Sequence, residues 1–126
     1  MEHKTVVNQG DIYWVPLDES NGSEHIHPHV VIQSNAINHS RVNSVVVCAL
    51  TTNAKRANLP GNVLLEAGEA NLPRQSIVVV SQVSTVAKAQ LGEYVGTLSQ
   101  QRVHQILAGM RFLQLMTERP EAGAEK

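Results

Sequence analysis

A single cysteine, Cys48, leaves the chain without an internal disulfide, so packing and hydrogen bonding alone must hold it together. Aromatic residues are nearly as scarce, with Tyr13, Trp14, Tyr94 and Phe112 making up the full set. The 42 % apolar content therefore rests on Val, Ile, Leu and Ala, which implies a β-rich aliphatic core. Long apolar runs are missing too. The longest, at 44–50 and 77–80, fall far short of the roughly 18 residues of a membrane-spanning helix, and no membrane partner is expected. No positively charged leader with an apolar stretch behind it opens the chain, so the cytoplasm is the expected compartment. An excess of one charge is also lacking. Ten basic and eleven acidic side chains give a net charge of −1, so any site for a polyanion has to be local.

What the chain does have is enough length for one domain, 126 residues, and a cluster of histidines. Four of its six histidines, His25, His27, His29 and His39, fall within fifteen residues. Around them the sequence reads as short strands. A first strand lies within 10–17 and is ended by Pro16, a loop of turn residues follows, and continuous apolar runs at 29–33 and 44–50 read as core strands separated by a polar loop. Residues 51–61 are polar and basic, a fourth strand is expected over 62–66, and the chain turns over 67–73. The strongest β signal, 76–83, comes next, with a shorter strand at 94–97. Six short strands at this spacing predict a small barrel.

The period then changes. Ser99 is a good N-cap, and Val103, Ile106, Leu107, Met110 and Leu113 recur at helical spacing, which predicts one C-terminal amphipathic helix. Phe112, Leu115 and Met116 widen its apolar stripe beyond what a small barrel can cover and point to a second protein surface. The expected organisation is one domain over 1–116 and a polar, disordered tail over 117–126. Cys48, on an apolar strand, reads as a core residue.

Several segments, in order, resemble the PemK/MazF toxins of bacterial toxin–antitoxin systems. They are Gly10-Asp11-Ile12-Tyr13, Gly22-Ser23-Glu24, Pro28-His29-Val30-Val31-Ile32-Gln33, Ala49-Leu50-Thr51, the run from Ser76 to Val83, and Gly96-Thr97-Leu98-Ser99. The resemblance covers 10–113. It implies an SH3-like barrel, a homodimer, metal-independent cleavage of single-stranded mRNA at short motifs with no cofactor, and inhibition by a cognate antitoxin protein.

Two positions carry that family's chemistry, an arginine before the strand-two proline and a threonine after strand three. Thr51 matches the threonine, while His27 stands where the arginine would be. An in-line attack by a ribose 2′-hydroxyl needs a base, an acid for the leaving 5′-oxygen, and donors for the charge that builds on the phosphate. Histidine can move a proton near neutral pH but does not carry the fixed charge and bidentate fork of arginine. His27 and Thr51 are therefore the expected catalytic pair, and Lys55, Arg56 and Arg41 are candidates for the missing charge. Glu24 matches a loop glutamate and Gln82 a strand glutamine of the family's site. With His25, His29, Thr52, Asn53, Lys55 and Arg56 they form the expected RNA-binding set. The acidic residue that some members place at position 81 is Ser81 here.

Two other classes stay open on sequence alone. The same barrel serves toxins that poison DNA gyrase by contact, and loss of the arginine fits a relative that binds without cleaving. The alternating His25, His27 and His29 would share a face of an extended chain and form a metal-dependent centre, although no cysteine or carboxylate at a familiar spacing completes the set.

Overall fold

Alternate residues along the first strands feed two cores, one on each face of a single sheet. In the computed structural model, which describes residues 6–16 and 26–117, six strands pair antiparallel. These are β1 (Asp11–Pro16), β2 (Ile26–Val31), β3 (Ser44–Thr51), β4 (Val63–Leu65), β5 (Ser76–Ala87) and β6 (Tyr94–Thr97), in the order β4-β5-β3-β2-β1-β6. Ile12, Val30 and Cys48 point into the larger core, and their neighbours Tyr13, Val31 and Val47 into the smaller one. Both faces are covered, which is why these strands read as continuous apolar runs.

The sheet curls into the expected small barrel. A register shift between Cys48 and Leu50 interrupts the β3–β5 ladder, and β5 goes on to pair with β4 at its first residues. The edge strands β4 and β6 do not pair with each other. The turn Glu69–Asn71 bridges them instead, with Asn71 Nδ2 donating to the Val95 carbonyl at 3.1 Å. Gly96 sits so close to the Ala70 carbonyl that a Cβ could not be accommodated there.

Element limits differ from the sequence reading in several places, among them the end of β2 at Val31 rather than 33 and the span Val63–Leu65 of β4 rather than 62–66. β2 begins at Ile26 rather than 29, because its ladder with β3 starts only at His29 and Pro28 therefore needs no N–H on that side. β5 runs to Ala87, since Ser84 and Thr85 keep pairing with Val47 and Val46. The loop after β2 contains a single helical turn, α1 (Asn35–Asn38), organised by polar contacts. Asn38 there is buried, donates to the Gln33 carbonyl at 2.7 Å, and accepts from Lys88 Nζ on its own carbonyl at 2.7 Å.

The C-terminal helix, α2 (Gln100–Thr117), includes the first residue assigned to the tail. Ser99 caps it by accepting the Arg102 N–H at 3.2 Å. Val103 and Ile106 are buried, Ile106 in the larger core, where full burial of such a side chain is worth about 1.5–3 kcal/mol. Gly109, mid-helix, allows the backbone to lie against the turn at Gly61, whose carbonyl occupies the space a Cβ would need. Arg102 reaches Glu69 through Nε at 2.6 Å and Nη2 at 3.1 Å, tying the helix start to the bridging turn. That guanidinium holds the Glu69 carboxyl below its ordinary pKa. Phe112, Leu115 and Met116 remain exposed.

Candidate active site

Strand register brings the expected catalytic pair together. The β2–β3 ladder ends with His29 paired to Ala49, and beyond that pair His27 on β2 and Thr51 on β3 line the same two cavity walls. On the other side of β3, Thr51 pairs with Ile77, which draws the start of β5 and the residues before it to the same end of the sheet.

Two cavities open at this strand end and share His27, Leu50 and Thr51 in their walls. One, of about 260 Å³, has an apolar shelf that includes Trp14, Pro28 and Leu72, with Thr52 and Arg74 as polar additions. The other, of about 220 Å³, is more polar, with His29, Arg56 and Gln82. Among the described residues the two walls hold two arginines and no carboxylate, a local positive site on a chain of net charge −1.

The hydroxyl of Thr51 accepts the Asn53 N–H at 3.2 Å, which orients it and leaves its own proton to donate. Its surroundings suit it to a phosphate oxygen. His27 is exposed at the strand end, where an imidazole can meet both solvent and substrate.

His29 differs from its neighbour two residues away. It is 1 % exposed, and its Nδ1 lies 2.9 Å from the His27 carbonyl. A carbonyl only accepts, so Nδ1 carries the proton and Nε2 is the acceptor, which is enclosed without a protein partner. Burial pushes the imidazole pKa down, outweighing the opposing effect of the bond to the His27 carbonyl. His29 thus lends the wall a neutral ring rather than a charge.

The remaining expected site residues divide. Thr52 lines the first cavity, and Arg56 and Gln82 the second. Asn53 and Lys55 line neither. Asn53 caps the turn Ala54–Asn58 by accepting the Lys55 N–H at 3.1 Å. Arg41 and Ser81 are also outside both walls. Glu24 and His25 lie outside the described residues. Among the described residues no group of three His, Cys, Asp or Glu side chains is placed to hold a metal ion. Cys48 is buried, donates to the Val79 carbonyl at 3.1 Å, and has its thiol pKa pushed up to about 12 by burial, as suits a core residue.

Trp14 and Arg74 are the site residues that sequence reasoning passed over. Arg74 stands just ahead of β5, in Leu72-Pro73-Arg74, and the signal was a cation held stiffly by a proline. Its relation to Thr51 exists only once β5 pairs with β3.

A curled six-stranded sheet carrying a C-terminal helix and a cleft whose described residues include two arginines and no carboxylate defines a small-barrel protein with a local positive site. The chain belongs to the PemK-like, MazF-like toxins of type II toxin–antitoxin systems, whose family profile matches residues 8–113. It is 36 % identical over 108 residues to the endoribonuclease MazF6 of Mycobacterium tuberculosis, covering 84 % of this chain and 95 % of the relative. Its fold is similar to that of a mycobacterial endoribonuclease in complex with its cognate antitoxin, with a TM-score of 0.70 at 23 % identity over 91 % of this chain and all of the other. It also resembles MazF in a MazE–MazF crystal structure from Deinococcus radiodurans, with a TM-score of 0.72 at 17 % identity over 90 % of this chain and all of the other.

Proposed function

We propose that this toxin is a cytoplasmic, metal-independent endoribonuclease that cleaves single-stranded mRNA at a short motif. In this reading the ribose 2′-hydroxyl attacks the adjacent phosphorus, the bond to the 5′-oxygen breaks, and the products carry a 2′,3′-cyclic phosphate and a 5′-hydroxyl. His27 moves one of the two protons, either off the 2′-oxygen or onto the leaving oxygen, and water serves for the other. Thr51 donates to a non-bridging phosphate oxygen, where the charge develops. The observation that carries this reading is the placement of His27 and Thr51 together on the shared rim of the two cavities.

The working unit in this proposal is a single barrel domain over 1–116, assembled as a homodimer through the exposed apolar edge of α2. An antitoxin segment with acidic side chains would cover the cleft and occupy the phosphate path, since the cleft offers arginines and no carboxylate among the described residues. A mycobacterial endoribonuclease of similar fold occurs in complex with its cognate antitoxin, which supports an antitoxin as the partner here.

The test is incubation of purified protein with single-stranded RNA in excess chelator. Cleavage with the stated ends, slowing as salt rises, is expected. Activity abolished by chelator and restored by Zn²⁺ would overturn metal independence, and no cleavage under any condition would overturn the nuclease reading.

A further inference from the structure

The exchange of the family's arginine for His27 leaves a question of charge. Two phosphate oxygens gain negative character during in-line attack, and a histidine that is exchanging protons is not a fixed cation. The sequence offers Lys55, Arg56 and Arg41 as replacements, but Lys55 and Arg41 line neither cavity, and Arg56 lies in the wall that does not include Thr52.

Arg74 occupies a different position. It lies in the wall of the larger cavity with His27, Thr51 and Thr52. Its backbone is held from both sides. Leu72 is buried at 3 % exposure on one side, with Pro73 following it, and on the other the buried Ser76 donates its hydroxyl to the Arg74 carbonyl at 3.0 Å. The side chain itself is exposed, so the guanidinium is free to meet a ligand from an anchored base. One step beyond Ser76 comes Ile77, the ladder partner of Thr51, so the anchor and the threonine are parts of the same strand pairing.

We propose that Arg74 is a further catalytic residue, supplying the fixed positive charge on the reacting phosphate that His27 does not. The proposal rests on the RNA-cleaving reading above. In it the guanidinium grips the non-bridging oxygens, Thr51 donates to one of them, and His27 is released for proton transfer. Arg56, in the second cavity, then serves the backbone of the flanking nucleotide and contributes to binding rather than to the chemical step.

The experiment compares wild type, Arg74→Ala, Arg74→Lys and Arg56→Ala in single-turnover cleavage, with Kd measured separately by anisotropy on an RNA carrying a 2′-deoxy sugar at the cleavage site. Arg74→Ala should slow the chemical step by about 10²–10³-fold, the usual effect of deleting a preorganised donor. Arg74→Lys should recover part of the rate, because it returns a positive charge without the guanidinium fork. Arg56→Ala should raise Kd, with a smaller loss of saturated rate than Arg74→Ala shows. Circular dichroism and thermal melts of each variant confirm that the fold is kept. Wild-type cleavage together with an Arg74→Ala protein that cuts at the wild-type rate overturns the Arg74 assignment and leaves the nuclease reading standing. A large loss of saturated rate confined to Arg56→Ala would also overturn it. A wild-type protein that cuts no RNA overturns both.

Discussion

His29 donates its Nδ1 proton to the backbone carbonyl of His27, 2.9 Å away, so one histidine is pinned by the residue that carries the other. The bond sets the tautomer of the buried ring and stiffens the strand end from which the exposed imidazole projects. Two histidines on the same strand thus take separate parts, one in the wall and one on the rim.

Stability should depend on pH through His29. Its folded pKa is lowered from the ordinary 6.5, so the unfolded chain takes up this proton first as pH falls. Stability is therefore full above about 6.5, declines as pH drops through the window below it, and levels off for this group once pH passes the lower folded value. Urea unfolding of wild type and His29→Val between pH 7.5 and 5, conditions chosen as roughly the span of histidine titration, should show a slope in the first that is reduced in the second. Equal slopes would place the titrating group elsewhere.

His27→Ala should lower the cleavage rate by about 10²–10⁴-fold, the usual contribution of a positioned proton-transfer group. His27→Arg should flatten the pH dependence of the rate without restoring it fully. pH–rate profiles of the three proteins decide the matter, and an unaltered profile in His27→Ala would rule out His27 as the proton-transfer group.

Thr51→Val keeps the shape of the side chain and removes the donor. A hydrogen bond to a charged partner is worth about 1.5–3 kcal/mol, so the saturated rate should fall by about 10–100-fold. Thr51→Ser should stay within a few-fold of wild type. If Val and Ser behave alike, the hydroxyl has no part in the reaction.

Phe112, Leu115 and Met116 are 46 %, 63 % and 62 % exposed on one edge of α2. Beside them a groove between α2 and β5 is lined by Val83, Met110 and Leu113. Sedimentation at micromolar concentration should give a dimer for the wild type and a monomer for Phe112→Asp/Leu115→Asp. A wild-type monomer, or a dimer that ignores these changes, would move the interface elsewhere.

Gly109→Ala should destabilise the fold by about 1–3 kcal/mol, because a Cβ there meets the Gly61 carbonyl and helix and turn must separate. The same substitution at an exposed helical position would normally stabilise. A higher Tm for Gly109→Ala would show that the contact is looser than the structure indicates.

Much of this protein was legible in the sequence because it depends on neighbours a few residues apart. The continuous apolar runs that became core strands around Val30 and Val47, the helical stripe from Val103 to Leu113 with its Ser99 cap, and the exposed edge at Phe112, Leu115 and Met116 all follow from local sequence pattern. The motifs around Pro28 and Thr51 were enough to single out His27. Contacts set by strand register were not legible, because register is settled by pairing between residues distant in the chain. The one-turn helix at Asn35–Asn38 escaped because polar contacts of Asn38, rather than an apolar period, hold it. His29 looked like its exposed neighbour until pairing with Ala49 buried it, and Lys55 looked closer to the site than Arg74 until Thr51 paired with Ile77. The residue types and their spacing determined a small β-barrel with one amphipathic helix, and the family resemblance pointed to the histidine–threonine pair. Tertiary structure decided which cations share a wall with that pair, because only strand pairing brings the anchored Arg74 into one cavity wall while Arg56 lines the other.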